Sequence, residues 1–170
     1  ARSKGYTVEE VETLFLPRRA GQSFLAQRRS WVIYAGVLGD LVRGSGVEVE
    51  YFTKTPLPSG VPTVILPARL LWSKGVGEFA NVANRIKKRG LRARFILVGD
   101  NDPQNPASVS QIQIDKWVKQ GLLEHWGRRD DMKNVFDLAN IVCLPSYDEG
   151  LPKALLEGAS CGRPLVAFNV

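Results

Sequence analysis

A chain of 170 residues with 44% hydrophobic and 24% charged residues can bury one ordinary core and is too short for two full Rossmann-type domains. Its net charge of +6 suits a phosphorylated ligand, a nucleic acid or an anionic membrane surface, and by itself chooses none of them. The longest apolar run, Trp31 to Leu38, falls far short of the ~20 residues of a membrane-spanning helix, and no basic segment followed by an apolar stretch opens the chain as a secretory signal would. These features describe a cytosolic protein and leave a peripheral membrane contact open.

Residues 1–60 read as an N-terminal extension and linker. Thr7 with Glu10 has the spacing of a capping box for a short helix that must end before Pro17. The pairs Arg18-Arg19 and Arg28-Arg29 read as solvated surface charge. Gly44-Ser45-Gly46-Val47 is a turn ahead of Tyr51-Phe52, and Thr55-Pro56-Leu57-Pro58-Ser59-Gly60 is turn and linker chemistry. From residue 61 onward, short β-rich runs alternate with helical patterns, the signature of βαβ units. Strands are predicted at Thr63–Leu66, Ala93–Val98, Leu122–Trp126, Ile141–Leu144 and Leu165–Phe168, with helices at about 75–89, 109–120, 130–139 and 152–161. In the first helix Ala80, Val82, Ala83 and Ile86 form an apolar stripe, Lys87, Lys88 and Arg89 favour the C-terminal end, and Gly90 terminates it. The fold class is α/β, a Rossmann-like open parallel sheet with helices on both faces.

The chemistry gathers where strands end. After the first strand come Arg69, a planar fork of donors, and Lys74, a compact charge; together they could neutralise a diphosphate without metal, although an isolated Arg and Lys in a loop are usually solvated. No P-loop and no dinucleotide fingerprint follows that strand. Asp100-Asn101-Asp102-Pro103, after the second strand, reads as a turn, since the glycine and glutamate that a calcium loop of the EF-hand type needs are missing. His125, the only histidine, has no paired nucleophile and reads as structural. Gly127 and Arg128 stand at another strand's C-terminal edge, where open α/β sheets bind ligands; Arg129 and Asp130 can equally be a solvated helix start. Cys143 and Cys161, without a Cys-x-x-Cys motif, read as buried free thiols of a reducing compartment.

The richest stretch runs from Ser146 to Gly162. Glu149 and Glu157 bracket the start of a helix, separated by roughly 10 Å at about 1.5 Å per helical residue. Gly150 leaves backbone N–H groups unobstructed and Pro152 suits the first helical turn. A diphosphate could sit there on free N–H groups and the helix dipole, with Glu149 accepting from sugar hydroxyls and Glu157 from ribose hydroxyls. On spacing alone the two carboxylates could equally be one in a loop and one on an exposed helix face.

Pro145-Ser146, Glu149-Gly150-Leu151-Pro152, Leu155-Leu156-Glu157 and Cys161-Gly162-Arg163-Pro164 together closely resemble the donor-site signature of retaining glycosyltransferases of GT-B fold, the group called glycosyltransferase family 4. The resemblance runs from about Gly44 to the last residue, and the Gly-x-Gly-Val segment is similar to that family's entry turn into its C-terminal domain. It implies a nucleotide-sugar-binding domain over residues 61–170, short of the closing helices and so a fragment incomplete for activity. Arg69, Lys74 and Glu149 would carry catalysis, with Gly150, Leu151, Pro152, Glu157, Gly127 and Arg128 in the donor site, the last two beside the base. It implies a nucleotide-diphosphate sugar as donor, no metal and no other cofactor, and a lipid-linked or saccharide acceptor held by a separate N-terminal domain. The wording of the motifs looks like bacterial enzymes of capsule, O-antigen or lipid-linked oligosaccharide synthesis. Two other classes remain: a nucleotide-binding module without catalysis, and a basic nucleic-acid-binding domain, which the lack of a groove-reading or base-stacking motif disfavours.

Overall fold

The structure, a computed structural model, describes residues 47–168. The capping box, the arginine pairs and the Gly44–Gly46 turn lie outside the described residues. Five strands, β1 (Thr63–Pro67), β2 (Arg94–Val98), β3 (Glu124–His125), β4 (Ile141–Leu144) and β5 (Leu165–Ala167), form one sheet of order β3-β2-β1-β4-β5. All four pairings are parallel. Four helices connect them: α1 (Val76–Lys88), α2 (Gln111–Lys119), α3 (Met132–Asp137) and α4 (Lys153–Ser160).

Alternation along the strands divides the core. Leu66, Phe95 and Leu97 pack with Val76, Phe79, Ala80 and Ala83 of α1 and Ile114 of α2, and the Phe79 and Phe95 rings meet edge to face at 5.3 Å. Ile65, Ile96, Val98 and Val142 pack on the other face with Val135 and Phe136 of α3 and Leu156 of α4. Val47 and Phe52 join this second face, Phe52 edge to face with Phe136 at 5.9 Å, so the segment entering the domain is docked on its core. Each such side chain taken from water contributes roughly 1.5–3 kcal/mol.

Element boundaries shift for identifiable reasons. Gly90 ends α1 as expected: the Leu91 N–H reaches back to the Ile86 carbonyl and the Gly90 N–H to that of Lys87. Before α1 the chain makes a 3-10 turn, Trp72–Lys74, where a loop was expected. The second helix begins two residues later than its apolar pattern suggests, because buried Val109 bonds through its N–H to the Leu70 carbonyl and Ser110 caps the helix by accepting from the Gln113 N–H. The third strand shrinks from five residues to two, since Leu122 closes the turn out of α2 on the Trp117 carbonyl. Pro152 is the N-cap of α4, outside its first turn, with φ −75° and an extended ψ of 91°. Cys161 is buried but Cys143 only half-buried; desolvation pushes their thiols up to about 11 and about 12, and neither is a nucleophile at neutral pH.

Candidate functional site

Chain order reverses direction at β1. From it the chain winds outward through β2 to β3, then returns to place β4 on the opposite side of β1. Open α/β sheets bind ligands at this switch point, outside the carboxyl ends of the strands. The loops that leave β1 and β4 here carry Arg69 with Lys74, and Glu149 with Gly150, Leu151 and Pro152.

The two loops are fastened together. Lys74 Nζ donates to Glu149 Oε1 at 2.7 Å and to the Asp148 carbonyl at 3.1 Å, with both charged side chains about four-fifths buried. Ser146, 1% exposed, bonds through its hydroxyl to the Ser73 carbonyl at 3.2 Å, and the Tyr147 N–H donates to the same carbonyl at 2.8 Å. The Tyr147 hydroxyl donates to Glu78 in the first turn of α1. Sequence reasoning paired Lys74 with a phosphate and Glu149 with a sugar; it did not foresee that they pair with each other. The ammonium has three protons, and the two bonds to Glu149 and Asp148 leave one for an incoming anion.

Arg69 is exposed and its guanidinium has no hydrogen-bond partner among the described residues. Leu151 is exposed and Gly150 faces open space, where a Cβ would meet nothing within 4 Å. Both helices at the switch point start without a side-chain cap, α1 on Gly75 and α4 on Pro152, whereas α2, one strand away, is capped by Ser110. Uncapped N–H groups and the positive end of a helix dipole suit an anion. Glu157, the fifth residue of α4, is half-buried and its carboxylate has no hydrogen-bond partner among the described residues; burial pushes its carboxyl above the usual carboxylate range, against a smaller opposing pull from Lys153. An unpartnered acceptor in a partly dry setting is fit to receive hydroxyl donors.

Gly127 and Arg128 stand on the loop after β3, with β2 and β1 between it and β4, so they join the same sheet edge without touching the Lys74–Glu149 pair. The Gly127 carbonyl accepts from the Gly99 N–H at 2.8 Å and the Arg128 N–H donates to Asp100 at 3.0 Å. The Arg128 side chain is exposed and faces Asp130 at 3.5 Å. His125 bonds through Nε2 to the Gly99 carbonyl at 2.9 Å, a structural contact between neighbouring strand ends. The Asp102 turn is closed locally, its N–H on the Ser108 hydroxyl and its carbonyl on the Asn105 N–H.

An open parallel sheet whose β1 loop, through Lys74, meets its β4 loop, through Glu149, at the switch point has the fold of the C-terminal, Rossmann-like domain of a GT-B glycosyltransferase. The family model Glycosyl transferases group 1 matches residues 61–170, and the chain belongs to this family. Among curated proteins it is 37% identical over 120 residues to N,N'-diacetylbacillosaminyl-diphospho-undecaprenol alpha-1,3-N-acetylgalactosaminyltransferase of Campylobacter jejuni, a match covering 71% of this chain and 30% of that protein. It is 34% identical over 103 residues to UDP-Gal:alpha-D-GlcNAc-diphosphoundecaprenol alpha-1,3-galactosyltransferase of Escherichia coli, covering 59% and 26%. The matched region thus spans less than a third of either relative. Among solved structures, the C-terminal domain of the glycosyl transferase group 1 family protein LpcC from Francisella tularensis superposes with a TM-score of 0.59 at 18% identity, covering 72% of this chain and 70% of that one. Anabaena HepE in complex with UDP gives 0.58 at 19% identity, covering 71% and 36%. At these identities the structural likeness speaks for the fold. No described helix is long and apolar enough to cross a membrane.

Proposed function

We propose that this domain binds the donor of a retaining glycosyltransferase, a nucleotide-diphosphate sugar, in the synthesis of a bacterial capsule, O-antigen or lipid-linked oligosaccharide. The observation that carries this reading is the Lys74–Glu149 pair at the β1/β4 switch point, with a free Arg69 on one side and an unpartnered Glu157 on the other. The two curated relatives, both named for action on diphospho-undecaprenol sugars, support it, as do the solved structures of HepE in complex with UDP and with UDP-glucose. Arg69 and the third proton of Lys74 would take the diphosphate, the uncapped starts of α1 and α4 would face it, Glu157 would accept from the ribose, and Gly127 with Arg128 would lie beside the base. Glu149, held beside Lys74, would accept from the donor sugar and oppose the positive charge that grows on its ring as the diphosphate leaves. The acceptor, lipid-linked or saccharide, would be brought by a separate N-terminal domain. The protein would work in the cytoplasm, with peripheral contact to the inner membrane face.

Calorimetry with nucleoside diphosphates and their sugar conjugates tests this. Arg69→Ala or Lys74→Ala should weaken both ligands by about 1.5–3 kcal/mol, the scale of a charge-assisted hydrogen bond. Glu157→Gln should weaken both ligands equally. Glu149→Gln should weaken chiefly the conjugate, by about 1–3 kcal/mol, and leave the bare diphosphate unchanged or tighter because Lys74 loses its anionic partner. Equal losses for both ligands in the Glu149 variant would place the sugar elsewhere.

Two cations and helix N-termini neutralise the diphosphate in this reading, so no metal is needed. Affinity should survive EDTA; a loss of about tenfold or more, restored by Mg²⁺ or Mn²⁺, would overturn this.

The raised Glu157 carboxyl sets the pH dependence. Its protonation begins at a higher pH than that of an ordinary glutamate, and the protonated form is the poorer acceptor for ribose hydroxyls. Nucleotide affinity should therefore fall on acidification from a pH above the usual carboxylate range, and Glu157→Gln should remove that step. A pH titration of affinity that is the same in wild type and variant would exclude Glu157 as the group.

A further inference from the structure

The loops after β1, β2 and β3 are joined through two residues that the donor-site reading leaves without a task, Gly99 and Asp100. Backbone groups make the first connections. The Asp100 carbonyl accepts from the Leu70 N–H at 2.9 Å, next to Arg69, and the Gly99 N–H donates to the Gly127 carbonyl at 2.8 Å. Gly99, at φ +140°, is pressed onto the end of β1: a Cβ there would stand 2.1 Å from the Ala68 carbonyl oxygen. The remaining connection belongs to a side chain. Asp100 Oδ1 accepts the Arg128 N–H at 3.0 Å, and the same oxygen would lie 3.4 Å from a Cβ on Gly127, so the carboxylate closes directly on that turn.

No described cation pairs with Asp100; the nearest guanidinium in sequence contact, that of Arg128, faces Asp130 instead. A carboxylate without a counter-charge on the edge that would receive a diphosphate works against anion binding, so what it gives the site must be geometric. We propose that Asp100 is a positioning residue: by holding the Arg128 N–H it fixes the Gly127–Arg128 turn at a set height relative to the Arg69 loop, and so governs how the base end of a nucleoside diphosphate is received. The inference rests on the donor-site reading above. Phosphate binding, which belongs to the β1 and β4 loops, does not depend on this side chain.

The experiment compares wild type, Asp100→Ala and Asp100→Asn by calorimetry with UDP, GDP, ADP and inorganic pyrophosphate, which has no base or ribose. The Ala variant should bind the preferred nucleoside diphosphate about tenfold more weakly and discriminate less among bases, with pyrophosphate affinity and melting temperature unchanged. The Asn variant keeps an acceptor oxygen for the Arg128 N–H and should restore affinity and selectivity. Hydrogen exchange without ligand should show the Arg128 amide less protected in the Ala variant and protected in the Asn variant. Parallel losses for pyrophosphate and nucleotide, an Asn variant as weak as Ala, or an unchanged Arg128 amide would each overturn the assignment. A wild-type protein that binds pyrophosphate but no nucleoside diphosphate above it would defeat the donor-site reading and this inference together; a wild type that binds selectively, beside an Ala variant that does the same, defeats this inference alone.

Discussion

Replacing Arg163 by methionine should cost the domain on the order of 3 kcal/mol and loosen the segment by which the chain enters it. Arg163 is 2% exposed, yet its guanidinium meets no carboxylate of the described residues directly. It donates instead to backbone carbonyls: Nε to Cys161 at 3.0 Å, Nη1 to Ala139 at 3.1 Å and to Pro56 at 3.2 Å, and Nη2 to the carbonyl and hydroxyl of Thr55. Thr55 in turn donates to Asp137, which Lys133 also holds. Burial by itself would raise the Asp137 carboxyl, but the bonds from Lys133 and Thr55 and the charge of Arg163 outweigh it and keep the group below the ordinary carboxylate range. Methionine has similar length and fills the space, so the loss is chiefly of hydrogen bonds. The Ala139 carbonyl lies inside and is left without a donor at about 1–3 kcal/mol, the Cys161 carbonyl keeps only the long bond from the Thr55 N–H at 3.4 Å, and water re-solvates Pro56. Against a typical stability of about 5–15 kcal/mol this is a large fraction. Lysine should recover only part, because one ammonium cannot span acceptors on three segments. Urea denaturation measures the total, and limited proteolysis within residues 53–58 locates it. A loss below about 1 kcal/mol for methionine would mean that the carbonyls find other donors.

Legibility in the sequence followed how local each signal is. Four of the strands and their alternation with helices were readable because parallel strands covered on both faces appear as short apolar runs, while β3, the pair Glu124–His125, was readable only from its apolar flanks, and the stripe of α1 with its basic end and Gly90 is a complete local description of one helix. Boundaries slipped where an apolar residue served another element. Val109 looks like the first residue of a helical stripe but is spent on a bridge segment beside Leu71, and Leu122 looks like strand but closes a turn. Candidate site residues could be proposed from the sequence as well, since Arg69, Lys74 and Glu149 follow strand ends and Glu157 lies in the helix after β4. The wiring of the site was not legible. The Lys74–Glu149 bond spans 75 positions and the Arg163–Thr55 bonds span 108, and no spacing rule reaches across such separations without the strand order. Arg163 stands in the sequence only as one residue of the Cys161-Gly162-Arg163-Pro164 motif, and nothing beside it marks it as buried. Asp100 was read as a turn residue, which it is; that its carboxylate reaches the next loop depends on β2 and β3 being neighbours.

Gly75→Ala should harm the site as much as removal of one of its charged groups and should destabilise the domain besides. Gly75 caps α1 in the left-handed region at φ +74°, immediately after Lys74, where a side chain costs about 1–2 kcal/mol of backbone strain. Strain is the smaller part. A Cβ at this position would fall 2.0 Å from the carbonyl oxygen of Pro145 and 2.7 Å from its ring, and the clash is with backbone, which cannot rotate away. Relief requires the start of α1 and the end of β4 to separate by about an ångström, at the point where Ser146 and Tyr147 bond to Ser73. That motion pulls Lys74 from Glu149, now at 2.7 Å, and opens the switch point at which the diphosphate would rest. A packing error of this kind in a close-packed region costs typically 1–3 kcal/mol beyond the strain, so the expected total is about 2–5 kcal/mol. Nucleotide affinity should fall by about 10²-fold, the penalty for displacing positioning groups by such a distance. Gly150→Ala is the control, because that Cβ enters open space and Gly150 is not among the glycines of positive φ. Its stability should stay within about 0.5 kcal/mol of wild type. Denaturation and calorimetry on the two variants decide the matter: equal stabilities, or a Gly75 variant that binds as the parent does, would show that the two loops are not held in contact and that the Lys74–Glu149 pair does not depend on their approach.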